Sequence, residues 1–148
     1  MDEPEMNLRL IRLSEAVEAQ FADADPATLP PAVQVFWVIW QLEAEVNNGG
    51  FLQYFGNSSG RLVPHAVAAL RTIGANTMAD IVERAIFVAG RDIAWADDEA
   101  RSTALNALGP DVPEELDFLD RAFFTYPDNL TVLLYTYASE HSDELGEL

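Results

Sequence analysis

Cysteine is absent from the 148 residues, and so is lysine. Without cysteine there is no disulfide framework, no thiolate nucleophile and no cysteine zinc site, which fits a reducing compartment. Without lysine, eight arginines are the only strong cations against 25 Asp and Glu, and the formal net charge is −17. A nucleic-acid binder needs cations to displace counterions from phosphates, and a peripheral membrane protein needs them for anionic headgroups. This chain is repelled by both, so its expected partners are cationic, a basic protein surface or a metal ion. Long apolar runs are missing too, and Met1-Asp2-Glu3-Pro4-Glu5 lacks the basic start and apolar stretch of a signal peptide. The expectation is a cytoplasmic protein.

Apolar content is not lacking. Hydrophobic residues make up 49% of the chain and aromatics 10%, enough burial to offset conformational entropy, and the length suits one domain over residues 1–148. The spacing is helical nearly throughout. Met6, Leu10, Leu13, Val17 and Phe21 mark a first helix over about residues 5 to 22. Pro30 and Pro31 start a second that runs to about Asn47 and is apolar on two sides, the pattern of a central helix. After the turn Asn47-Asn48-Gly49-Gly50, the rings of Phe51, Tyr54 and Phe55 share one face of a short helix. Val63, Ala66, Val67, Leu70 and Ile73 form the next stripe, closed by Gly74. Further starts are read at Thr77-Met78-Ala79-Asp80 as a capping box, at Asp97-Asp98-Glu99, at Pro113 and at Pro127-Asp128. No segment alternates like a strand. The predicted fold is an all-α single-domain bundle of about six or seven helices around a central apolar helix.

Motifs of chemistry are sparse. Gly56-Asn57-Ser58-Ser59-Gly60 fits the nucleophile-elbow pattern G-x-S-x-G, and Asp128 and His141 complete a triad order on paper. The elbow needs a strand driving into a strained turn, and helical aromatics precede it here. A hydrolase using Ser58 is therefore the weakest reading, and no catalytic residue is assigned. His65 and His141 sit in no metal-binding spacing, and without lysine the glycine pair is not a phosphate loop, so no metal or cofactor is expected. Glu43, Asn47, Gln53 and Asn57 could line a polar pocket, although amides at such positions more often cap helices and satisfy turn backbone.

The stretch Glu45-Val46-Asn47-Asn48-Gly49-Gly50-Phe51-Leu52-Gln53-Tyr54-Phe55-Gly56-Asn57-Ser58-Ser59-Gly60 resembles the signature of a bacterial domain-of-unknown-function family typified by a neisserial DNA-mimic protein. Ala69-Leu70-Arg71-Thr72-Ile73-Gly74-Ala75 and Leu116-Asp117-Phe118-Leu119-Asp120 follow in similar order, over roughly residues 30 to 140. The resemblance implies an all-α fold and, for the typified member, a dimer whose acidic surface imitates DNA and occupies a helix-turn-helix transcription factor. The shared motif contains one acid, Glu45, so its rings and glycines read as a packing and turn element, with Asn47, Asn48, Gly49, Gly50, Phe51, Gln53, Tyr54, Phe55 and Asn57 as structural residues. No acid occurs between Val46 and Ala79, which makes that segment the candidate dimer surface.

Helix physics accounts for part of the acidity, since carboxylates favour helix N-termini and pair with arginine one turn away. Asp2, Glu3, Glu5, Asp80 and Asp128 fall near expected starts, Glu15 can pair with Arg12, and Asp117 with Arg121. Glu18, Asp23, Asp25, Glu43, Glu45 and Glu83 have no such local reason. Two concentrations are the candidate partner-binding residues. Asp92, Asp97, Asp98, Glu99, Asp111, Glu114, Glu115, Asp117 and Asp120 are opposed in their span only by Arg101. Glu140, Asp143, Glu144 and Glu147 lie where a single last helix would have its negative end, and their i, i+4 repulsions would cost roughly 0.2–0.5 kcal/mol a pair. On one helix they would recur every 5 to 6 Å or so, comparable with charges along a nucleic-acid strand. The reading is a binding protein that places carboxylates where a DNA-binding protein, such as a transcription factor, expects phosphates. The alternative is an immunity-type inhibitor of a cationic toxin.

Overall fold

The three-and-four spacing becomes eight α-helices in a computed structural model that describes residues 1–148 and contains no strand. They are α1 (Glu3–Phe21), α2 (Pro31–Gly56), α3 (Val63–Thr72), α4 (Asn76–Ala89), α5 (Asp98–Asn106), α6 (Val112–Phe124), α7 (Leu130–Glu140) and α8 (Ser142–Leu145). Short 3-10 helices, Pro26–Thr28 and Ser58–Leu62, lie before and after α2. No helix is long and apolar enough to cross a membrane.

The expected central helix is α2, which touches α1, α3, α5, α6, α7 and α8. Its first limb is buried on both sides, with Phe36, Val38, Ile39, Leu42 and Val46 almost wholly excluded from solvent, in one contiguous core of 32 buried residues. The expected turn at the glycine pair is a break inside α2. Gly50 takes φ +76 and ψ −175, a conformation side chains disfavour, and a Cβ there would also overlap the Asp120 carboxylate. Past the break, Phe51, Tyr54 and Phe55 are fully buried. Phe51 lies edge-on to Phe123 of α6 at 5.8 Å between centroids, and Phe55 is 5.1 Å from Trp95. Gly74, at φ +86, ends α3 as expected, its amide bonding back to Arg71 and that of Ala75 to Leu70.

Helix starts have free backbone amides, and three are satisfied from distant elements. The Asp120 carboxylate of α6 accepts from the Phe51 amide at 2.8 Å, Asp128 accepts from Met78 at 2.8 Å, and Glu144 of α8 accepts from Ala32 at 2.7 Å. Two local expectations are thereby corrected. The start of α4 is served by Asp128, while Asp80 of the supposed capping box pairs with Arg71 at 2.9 Å. Asp128 does not cap its own helix either, because Asn129 accepts from Val132 at 3.1 Å. Arg12 and Glu15 form no ion pair; the bridge on α1 is Arg9–Glu5 at 3.0 Å.

Candidate acidic interface

The span Asp92 to Asp120 divides into carboxylates that hold the fold and carboxylates that do not. Asp97 caps α5, its Oδ1 accepting from the Ala100 amide at 3.0 Å. Asp98 receives Arg61 and Arg101, and hydrogen bonds from those guanidiniums, Arg61 first, lower its pKa to about 2. Asp117 pairs with Arg121 at 3.4 Å, as expected. Asp120 is half-buried on the Phe51 amide; desolvation raises its pKa against that hydrogen bond, and the Asp117 charge adds to the rise. Asp92, Glu99, Asp111, Glu114 and Glu115 are exposed and their carboxylates bond no other residue, with Glu99, Glu114 and Glu115 standing in the first turns of α5 and α6.

The C-terminal acids do not form the expected row. The helix is cut at His141, whose backbone leaves the helical region at φ −122 and ψ 34, while its ring stacks on Tyr137 at 4.0 Å. Glu140 therefore ends α7, Asp143 and Glu144 open α8, and Glu147 follows α8. The i, i+4 repulsions and the regular spacing require one continuous helix, so both fall away. Asp143 and Glu144 now sit at a favourable helix start, and Glu144 is tied to Ala32. The acid-free segment proposed for dimerisation is largely core. Leu52 is its one large exposed apolar side chain, whereas Phe87 lies on α4, Phe118 and Phe124 on α6, and Tyr126 beyond it.

The polar residues around the break form side-chain networks instead of capping backbone. Glu45 accepts from Gln53 at 2.8 Å and from Asn57 at 3.0 Å. Asn47 donates to the Tyr126 hydroxyl at 2.6 Å, and Tyr126, held at φ +49, stands beside Glu43. Burial raises the Glu43 pKa more than the Tyr126 hydroxyl lowers it, and burial with the neighbouring Glu43 charge pushes Tyr126 up to about 12. Arg101, the one cation in the acidic span, is spent on the fold. It is 3% exposed and donates to the Trp95 carbonyl at 2.5 Å and the Asn57 carbonyl at 3.2 Å.

These shifts set the pH response. For Glu43 and Asp120 the folded-state pKa lies above the unfolded one, so each destabilises the fold as pH rises through that window and restores stability as pH falls back. For Asp98 the folded pKa is depressed, so its contribution is present above about 4 and is lost as pH falls toward 2. Thermal denaturation should show a melting temperature that holds or rises from pH 7 to roughly 4.5 and falls modestly as pH drops from about 4 toward 2. A steady decline from pH 7 downward would contradict these assignments.

The paper triad is not assembled. Ser58 is exposed in a 3-10 helix, its neighbour Ser59 is bonded to the Tyr54 carbonyl, Asp128 is committed to Met78, and His141 Nδ1 to the Tyr137 carbonyl. Ser58 does line a cleft, but with His65, and neither Asp128 nor His141 reaches it. No three His, Asp or Glu side chains converge as a metal site would require. Comparison with curated proteins and with solved structures returns no match. Comparison with protein families does: the model of the DMP19-like proteins matches residues 27–141, from the 3-10 helix before α2 through the glycine break to the end of α7, and the chain belongs to that family.

Proposed function

We propose that this chain binds a basic, DNA-binding protein such as a transcription factor by presenting carboxylates in place of phosphates, and that it acts by occupancy without chemistry. One observation carries the reading. Asp92, Glu99, Asp111, Glu114, Glu115, Glu140, Asp143 and Glu147 are exposed and unengaged, while Arg9, Arg61, Arg71, Arg101 and Arg121 are already neutralised by carboxylates of the chain. The surplus negative field therefore faces solvent. Membership of the DMP19-like family supports the same reading.

The division of the acids dictates the test. Asp98, Asp120 and Glu144 stay, because each is bonded to another element of the fold or to a buried arginine. Glu99→Gln, Glu114→Gln and Glu115→Gln together, and separately Glu140→Gln, Asp143→Asn and Glu147→Gln together, should leave the chain folded with only a small loss of thermal stability, since Glu99, Glu114, Glu115 and Asp143 give up a favourable place in a first helix turn. At least one set should slow association with proteins captured from the native cell extract. Capture should also weaken steeply as the screening length falls from about 10 Å at 0.1 M salt to about 3 Å at 1 M. Retention that neither salt nor either set alters would contradict the proposal.

Self-association belongs to the same reading. A homodimer would use exposed rings, and Phe118, 66% exposed on α6, is the foremost. Sedimentation at micromolar concentration should give a dimer that Phe118→Ser weakens. A monomer for the unmodified chain would remove this part.

A further inference from the structure

A cleft of about 640 Å³ opens between the α1–α2 connection, the first limb of α2 and the 3-10 helix that precedes α3. That volume is within the range of ligand-binding sites, and the cleft belongs to none of the carboxylate groups described above. Its floor is apolar, with Leu29 and Leu62 buried beneath it, and Trp37 and Gln41, one turn apart on α2, form a wall. Asp23 and Asp25 stand exposed on one rim. Asp25 accepts from the Ala27 amide through one oxygen, which leaves the other free. Ala96 lies on the opposite rim, directly before the acidic start of α5. Arg61 and His65 are the basic groups that line the cleft, and both Arg61 nitrogens that make bonds are held by Asp98, so the arginine charge is compensated.

We propose that this cleft receives an arginine side chain from a basic segment of the partner, with the guanidinium against the Trp37 indole and its N–H groups directed at Asp23 and Asp25. Charge complementarity selects a cation, and the aromatic wall selects arginine over lysine. Guanidinium is planar, weakly hydrated and stacks on aromatic rings while forking to carboxylates, whereas ammonium is a compact and strongly hydrated charge. The gain from such a contact is about tenfold in affinity. The inference deepens the proposed function, in that it names where a basic partner anchors on an otherwise diffuse field.

The test uses the full chain and two fluorescein-labelled peptides of alternating glycine with arginine or with lysine, read by anisotropy at near-physiological salt. The arginine peptide should bind more tightly than the lysine peptide. Trp37→Leu should remove that preference, and Asp23→Asn with Asp25→Asn should weaken both peptides while asparagine keeps the cap on Ala27. The double variant lies on an exposed connection, so it decides the matter even if Trp37→Leu fails to fold. Equal binding of the two peptides, unaffected by either variant but weakened by Glu99→Gln, Glu114→Gln and Glu115→Gln, would overturn the cleft and leave the acidic-surface reading standing. A cleft that passes, on a protein whose captured partner ignores DNA, would keep the arginine site and end the mimicry. Failure of both peptides to bind would overturn the cleft.

Discussion

Phe55→Ala should lower the free energy of unfolding by about 3–5 kcal/mol, measured by denaturant titration with an unchanged slope. The ring is fully buried and lies within 6 Å, centroid to centroid, of Phe51, Tyr54 and Trp95. Truncation removes apolar surface from the core and opens a cavity at the point where the second limb of α2 meets the segment before α5. The neighbours cannot collapse into it easily, because Gly50 and Asp120 fix where that limb begins. A loss below about 1 kcal/mol would mean that the ring is exposed and that the shared motif is an interaction surface.

Arg101→Ala should cost less than that but still a large share of the stability, roughly 1–3 kcal/mol. Its guanidinium occupies the carbonyls of Trp95 and Asn57, and its stem fills the space over Gly60, where a Cβ would overlap both Arg101 and the Phe55 carbonyl. Alanine leaves the Trp95 carbonyl without its donor and a void beside the 3-10 helix, while the Asn57 carbonyl keeps the Gly60 amide at 2.9 Å. Asp98→Asn should cost far less, since that carboxylate is exposed and asparagine keeps an acceptor for the guanidinium. The ordering of the two variants is the check. Equal losses would show that the ion pair dominates, and a small loss for Arg101→Ala would show that the segment before α5 is held by other contacts.

What was readable in the sequence was local. The two-sided apolarity of α2, the glycine break and the three rings after it are properties of residues within one or two turns, and the structure has each of them. What was not readable was set by partners far along the chain. Asp120, Asp128 and Glu144 look like surface acids because the amides they serve are 69, 50 and 112 residues away. The cut at His141 was hidden for a related reason. Leu145 continues the helical spacing, and the contact that α8 makes with α2 joins residues about a hundred positions apart. Among the site residues, the sequence found the acids and could not sort them. Asp98, Asp120 and Glu144 are engaged within the fold, while Asp23 and Asp25 share with Trp37 a cleft that only the folded chain creates.

The account stands on one claim, that carboxylates of this chain occupy the surface its partner uses for DNA. The direct measurement is displacement: the chain is immobilised, the bound protein is retained from native extract at low salt, and duplex DNA is added at constant ionic strength. DNA should release the partner in proportion to duplex concentration, and the released protein should bind that duplex. A partner that stays bound through a large excess of duplex DNA, while salt alone removes it, would contradict the account.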